Sequence, residues 1–100
     1  MKSAQRMKWE DNVVFLTGAS SGIGEGLALA LAQGGAALGL VARREGLLCE
    51  LAARCEAVGG KAHVFACDVA DGDSLREAAE NLRTEFGKID ILIANAGIGG

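Results

Sequence analysis

Thr17-Gly18-Ala19-Ser20-Ser21-Gly22-Ile23-Gly24 lies between four apolar residues, Val13 to Leu16, and a helical pattern that begins at Ile23. Read locally, the octet is the turn between a buried strand and a helix. Gly18, Gly22 and Gly24 allow positive φ and let another molecule come into contact with the main chain. The first-turn N–H groups of a helix have no intrahelical partner and carry roughly half a positive charge from the macrodipole, which suits a phosphate. Three glycines in a chain with 15 of them are equally compatible with a plain tight turn. The rest of the chain has to decide between the two readings.

Working outward, Ile23, Leu27, Ala30 and Leu31 fall at helical spacing on one face, and Gly34-Gly35 stops that helix. Ala36 to Val41 reads as a second strand, apolar on both faces as in a parallel sheet covered on both sides. A second helix places Leu47, Leu48, Leu51, Ala52, Cys55 and Val58 on one stripe, with Glu50 and Arg54 expected to pair on the opposite one, and ends at Gly59-Gly60. Lys61 to Ala66 is a third strand, and Cys67 to Asp71 turns the chain. The third helix sets Leu75, Ala78, Ala79, Leu82 and Phe86 against charged residues and closes at Gly87; either Ser74, in a capping box with Glu77, or Asp71 starts it. Ile89 to Ala94 is the fourth strand, interrupted early by Asp90, and leads to Asn95-Ala96-Gly97.

Strands alternating with helices imply a parallel sheet with right-handed crossovers, an α/β doubly wound architecture. With strand order 3-2-1-4, the glycine turn falls where the winding reverses, which is where ligands bind in such sheets. The fourth strand would then carry an apolar, unpaired edge.

One hundred residues, half of them hydrophobic, make one domain with a modest core. A net charge of −3, with Lys and Arg scattered singly or in pairs, gives no footprint for nucleic acid. Residues 1–12 form a polar leader without the apolar segment of an export signal, so a cytoplasmic location is expected; Trp9 could cover the bottom of the sheet. The low-polarity run from Gly26 to Ala42 is too short and too broken by Gln33, Gly34 and Gly35 to span a membrane. Cys49, Cys55 and Cys67 lack ligand spacing and read as reduced, mostly buried thiols. With His63 the only histidine, and most simply a structural strand residue, no metal site is expected.

Dinucleotide folds usually hold the adenosine ribose with an acid about twenty residues beyond the glycines. Here that position is Ala42, followed by Arg43 and Arg44. No carboxylate repels a 2′-phosphate there, and Arg43 can pair with one, so NADP is favoured over NAD. Cations at a helix start run against the macrodipole, which makes an anionic ligand the better account of Arg43; for Arg44 a solvated helix start explains it equally well.

The octet, with its Gly-x-x-x-Gly-x-Gly spacing, resembles the cofactor-binding turn of the short-chain dehydrogenase/reductase family. Asp68-Val69 after the third strand is similar to that family's adenine-contacting pair, and Asn95-Ala96-Gly97 after the fourth to its Asn-Ala-Gly motif, which borders the cofactor's ribose. Ser20 and Arg43 match positions that hold the 2′-phosphate in NADP-dependent members, Ile23 lies where the turn's backbone reaches the pyrophosphate, and Ser21 in the same turn is counted with the cofactor-binding residues. The resemblance covers Val13 to Gly97 and implies a Rossmann-type domain over residues 13–100.

It also implies hydride transfer between a nicotinamide and a small carbonyl or alcohol, with a Tyr as acid or base and a Lys four residues later, both downstream of Asn-Ala-Gly. This chain has no tyrosine. The expectation is therefore the N-terminal, cofactor-binding part of an NADP-dependent oxidoreductase, a fragment without catalytic residues of its own, from a protein that is a homo-oligomer when full length. A non-catalytic dinucleotide-binding module is the alternative. A methyltransferase on a related sheet would call for acidic character at the end of the second strand, which Ala42-Arg43 does not supply.

Overall fold

Four parallel strands form one sheet in the order β3-β2-β1-β4 in a computed structural model that describes residues 12–20 and 22–94. The elements are β1 (Val13–Thr17), α1 (Gly22–Gln33), β2 (Ala37–Ala42), α2 (Glu45–Ala57), β3 (Lys61–Ala66), α3 (Gly72–Phe86) and β4 (Ile91–Ala94). Residues 1–11 of the leader, including Trp9, lie outside the described residues.

Alternation along the strands feeds two cores. Val14, Leu16, Leu38 and Leu40 meet Ala28, Leu31, Leu48, Leu51 and Cys55, so α1 and α2 cover one face. Val13, Phe15 and Val41 meet Ala78 and Leu82 of α3 on the other. Every residue of β1 and β2 is buried, as two-sided cover requires. The register pairs Val14 with Leu38 and with Ile91, and Ala42 with Ala66, which sets the glycine turn, the Arg43-Arg44 pair and the Asp68 turn along one edge of the sheet, the one formed by the C-terminal ends of its strands.

Each helix ends where glycine permits it: Gly35, Gly59 and Gly87 have φ of 95°, 111° and 83°. Asp71 caps α3, its carboxylate accepting the Ser74 N–H at 3.3 Å and the Ser74 hydroxyl at 2.8 Å, so the earlier of the two expected starts is the one used. The first three strands match their expected extents to within one residue. The fourth begins two residues later than expected, at Ile91, because Asp90 spends its carboxylate on the Val13 N–H.

Three expectations are corrected. Helix α1 turns Gly24, Ala28, Leu31 and Ala32 to the core, while Ile23 is 74% exposed and Leu27 and Ala30 are also outward. On α2, Leu48, Leu51 and Cys55 are buried, but Leu47, Val58 and Cys49 are exposed. Arg54 pairs with Glu25 of α1 at 3.4 Å instead of with Glu50 on its own helix. His63 packs edge-on against the Phe86 ring, 5.2 Å between centroids, consistent with a structural role. Among the described residues β4 pairs only with β1, and Leu92 beside its free edge is 67% exposed.

Candidate cofactor site

The glycine turn is built on β1, whose last residue, Thr17, is buried and sends its hydroxyl toward the Ile93 carbonyl at 3.5 Å. That contact ties β1 to β4 directly beneath the turn. The sequence signals Thr17 only by its place in the motif, as a hydroxyl closing an apolar strand. Gly18 follows with φ of 67°, a left-handed conformation that favours glycine. Ala19 is fully buried and donates its N–H to the Val41 carbonyl at 3.1 Å, fastening the turn to the end of β2. Ser20 is half-buried, and Gly24 is packed inward at the start of α1.

That fastening places the turn beside Ala42 and the two arginines. Ala42 is buried, and Arg43 and Arg44 are exposed as the chain leaves the sheet. Arg44 stands at the N-cap of α2, where its carbonyl accepts the Leu48 N–H at 3.1 Å but its side chain makes no capping bond that would explain a cation at a helix start. The Ala42 carbonyl accepts the Cys67 N–H at 3.0 Å, which brings the end of β3 to the same edge. There the Asp68 carboxylate accepts the Ala70 N–H at 2.9 Å and the Asp68 carbonyl accepts the Asp71 N–H at 2.9 Å, a tight turn that leaves Val69 49% exposed. The structure thus brings Gly18, Ser20, Gly22, Ile23, Gly24, Arg43, Arg44, Asp68 and Val69 to one edge of the sheet. Ser21, Asn95, Ala96 and Gly97 lie outside the described residues.

The arrangement fits a dinucleotide. A side-chain carbon at Gly22 would meet nothing within 4 Å, so the start of α1 is open to an incoming group. Exposed guanidinium groups stand at the end of the neighbouring strand, and an exposed Val69 offers an apolar surface for a base. Thiol chemistry is disfavoured at Cys55 and Cys67: burial pushes the Cys55 thiol up to about 11, and burial followed by the Asp71 and Asp68 carboxylates raises Cys67, so both stay protonated near neutrality. Among the described residues there is no cluster of side chains that could hold a metal ion, and no helix long and apolar enough to cross a membrane.

Residues 12–100 match the family described as short chain dehydrogenase. A 3beta-hydroxysteroid dehydrogenase of Mediterraneibacter gnavus is 33% identical over 93 residues, covering 93% of this chain and 34% of that protein. The crystal structure of L-sorbose reductase from Gluconobacter frateurii, complexed with NADPH and L-sorbose, superimposes with a TM-score of 0.86 at 38% identity, over 96% of this chain and 37% of the other. An NAD+-bound xylitol dehydrogenase gives 0.80 at 32% identity, over 85% and 33%. The chain therefore spans about a third of the length of the proteins it resembles.

Proposed function

Because the chain belongs to the short-chain dehydrogenase family, we propose that it forms the cofactor-binding part of an NADP-dependent oxidoreductase that reduces a carbonyl or oxidises an alcohol. Residues 13–100 are the N-terminal portion of the dinucleotide domain, and residues 1–12 are a leader to it. The bound nicotinamide supplies or accepts the hydride. This chain's own residues bind and orient it: the turn from Gly18 to Gly24 takes the pyrophosphate, Ser20 and Arg43 take the 2′-phosphate, Arg44 stands beside them either as a second contact or as a solvated helix start, and Asp68 and Val69 address the adenine. Asn95, Ala96 and Gly97 border the ribose in the same reading.

The observation that carries the preference for NADP is the exposed Arg43 directly after buried Ala42, beside the turn and with no carboxylate in the ribose position. Structural neighbours bind either cofactor, one with NADPH and one with NAD+, so the choice rests on this chain's residues. No tyrosine is present, and the acid or base for the hydride step is assigned to sequence outside these residues, together with the substrate pocket. We read the complete protein as a cytoplasmic homo-oligomer acting on a small molecule. Titrating the chain with NADPH and with NADH tests the cofactor assignment: tighter binding of NADPH is expected, and equal or weaker binding overturns it.

A further inference from the structure

Arg54 leaves its own helix and reaches across to α1, where its Nη1 lies 3.4 Å from Oε2 of Glu25, with the two side chains 54% and 44% exposed. Glu25 is the acidic residue in the first turn of α1. Its carboxylate is turned toward Arg54, a residue of the last turn of α2, while its backbone lies within the first turn of α1. At a rise of about 1.5 Å per residue, Glu25 sits only about 5 Å along the axis from Gly22, well inside a Debye length of about 10 Å at 0.1 M salt. In the free protein this placement is favourable, because a carboxylate near a helix N-terminus complements the macrodipole. Once phosphates occupy the same helix end, two anions share one positive field and each weakens the other's hold.

We propose that Arg54 is a positioning residue for the dinucleotide, acting through Glu25: it balances that carboxylate so that the positive end of α1 is left to the ligand's phosphates. The inference rests on reading the glycine turn as the pyrophosphate site. It also accounts for why Arg54 is drawn to another helix when Glu50 is available four residues away on its own. An ion pair that merely fastens α1 to α2 makes a different demand, and the two differ in sign. A fastening is lost equally from either side. Charge balance responds in opposite directions when the cation or the anion is removed.

The test is calorimetric titration of the whole chain and its variants with NADPH and with inorganic pyrophosphate, at about 20 mM and about 500 mM ionic strength. At low salt, Arg54→Gln is expected to weaken binding about three- to tenfold, and Arg54→Lys to restore most of the loss. Glu25→Gln is expected to bind at least as tightly as the unaltered chain, and the double variant to return to within about twofold of it. High salt should shrink all of these differences. Glu25→Gln removes no cation, so its sign decides the question even where Arg54→Gln fails to fold. Weakening by Glu25→Gln in step with Arg54→Gln overturns the proposal. If pyrophosphate binds with the opposite-sign pattern while NADPH does not bind, the cofactor assignment falls and the role of Arg54 stands; if neither binds, both fall.

Discussion

Asp90 holds Val13 through two hydrogen bonds: the Val13 N–H donates to Oδ2 of Asp90 at 2.8 Å, and the Asp90 N–H donates to the Val13 carbonyl at 2.9 Å. Lys88 stands 3.2 Å from the same carboxylate oxygen. The first residue of β1 is thus fixed to the residue just before β4, across a separation of 77 in sequence. Everything that follows β1, the glycine turn included, inherits that alignment.

The pair also makes stability depend on pH. The Val13 N–H holds the Asp90 carboxyl below the ordinary carboxylate range, against a smaller opposing effect of burial, and the Ser74 hydroxyl does the same for Asp71. A carboxyl depressed in the folded state contributes fully above its unfolded value, about 3.9, and the contribution fades as pH falls through the lower folded value. The Tm followed by circular dichroism should be flat from about pH 7 to 5 and fall below about 4. Asn at position 90 or 71 can still accept the same N–H but does not titrate there, so Asp90→Asn with Asp71→Asn should give a shallower acid limb. An unchanged limb in that double variant rules the assignment out.

Gly60 is required by close packing. A methyl group there would lie 2.7 Å from the Ala32 Cβ, 2.8 Å from its Cα and 3.1 Å from the Ala36 carbonyl oxygen, two backbone atoms and a methyl fixed to the backbone, none of which can swing aside. Gly60→Ala should destabilise by about 1–3 kcal/mol in urea unfolding. Gly26, on the exposed side of α1 with nothing within 4 Å of such a methyl, provides the contrast. Gly26→Ala should stabilise by about 0.5–1 kcal/mol, since helical glycine carries an entropy cost that alanine does not.

Gly39 leaves room for Leu82. A methyl on Gly39 would come within 2.6 Å of the Leu82 Cδ2, and Leu82 is fully buried against β1 and β2. Leu82→Ala should cost about 2–5 kcal/mol through the cavity it leaves, and Gly39→Ala about 1–3 kcal/mol through overpacking. The added methyl fills part of the cavity, so the double variant should be less destabilised than the sum by about 1 kcal/mol. Strict additivity would mean that the two positions do not share this space.

The outward face of α1 is not legible in its sequence. The segment from Gly22 to Gln33 is apolar nearly all round, so its larger residues suggest a face that the structure rejects. The sheet takes Gly24, Ala28 and Ala32 because small residues let the helix approach closely, a demand set by the partner surface and invisible in the helix alone. Helix α3, with charges on one side, carried its own orientation: Ala78 and Leu82 are buried as expected. Strand order was legible because alternation and chirality leave few topologies, and β3 has the expected ends, Lys61 and Ala66. The Arg54 link was not legible, since its partner Glu25 is 29 residues away and only the packing of α1 on α2 brings them together.

Arg43 carries the sharpest functional prediction. It leaves the sheet directly after β2, beside the turn that Ala19 fastens to Val41, and its side chain is exposed and able to meet a phosphate on the ribose. A charge-assisted hydrogen bond contributes about 1.5–3 kcal/mol, so Arg43→Ala should weaken NADPH binding about tenfold or more while leaving NADH within about twofold. The charge contributes as well as the bond: the loss should shrink as ionic strength rises, and Arg43→Lys should recover part of the affinity without the planar, two-pronged geometry of a guanidinium. Arg44→Ala separates the two arginines. As a solvated helix start it changes neither affinity, whereas a second phosphate contact adds a further loss for NADPH alone. Equal losses of NADPH and NADH in Arg43→Ala would mean that this residue supports the turn as a whole, and cofactor preference would then have to be sought elsewhere along the edge.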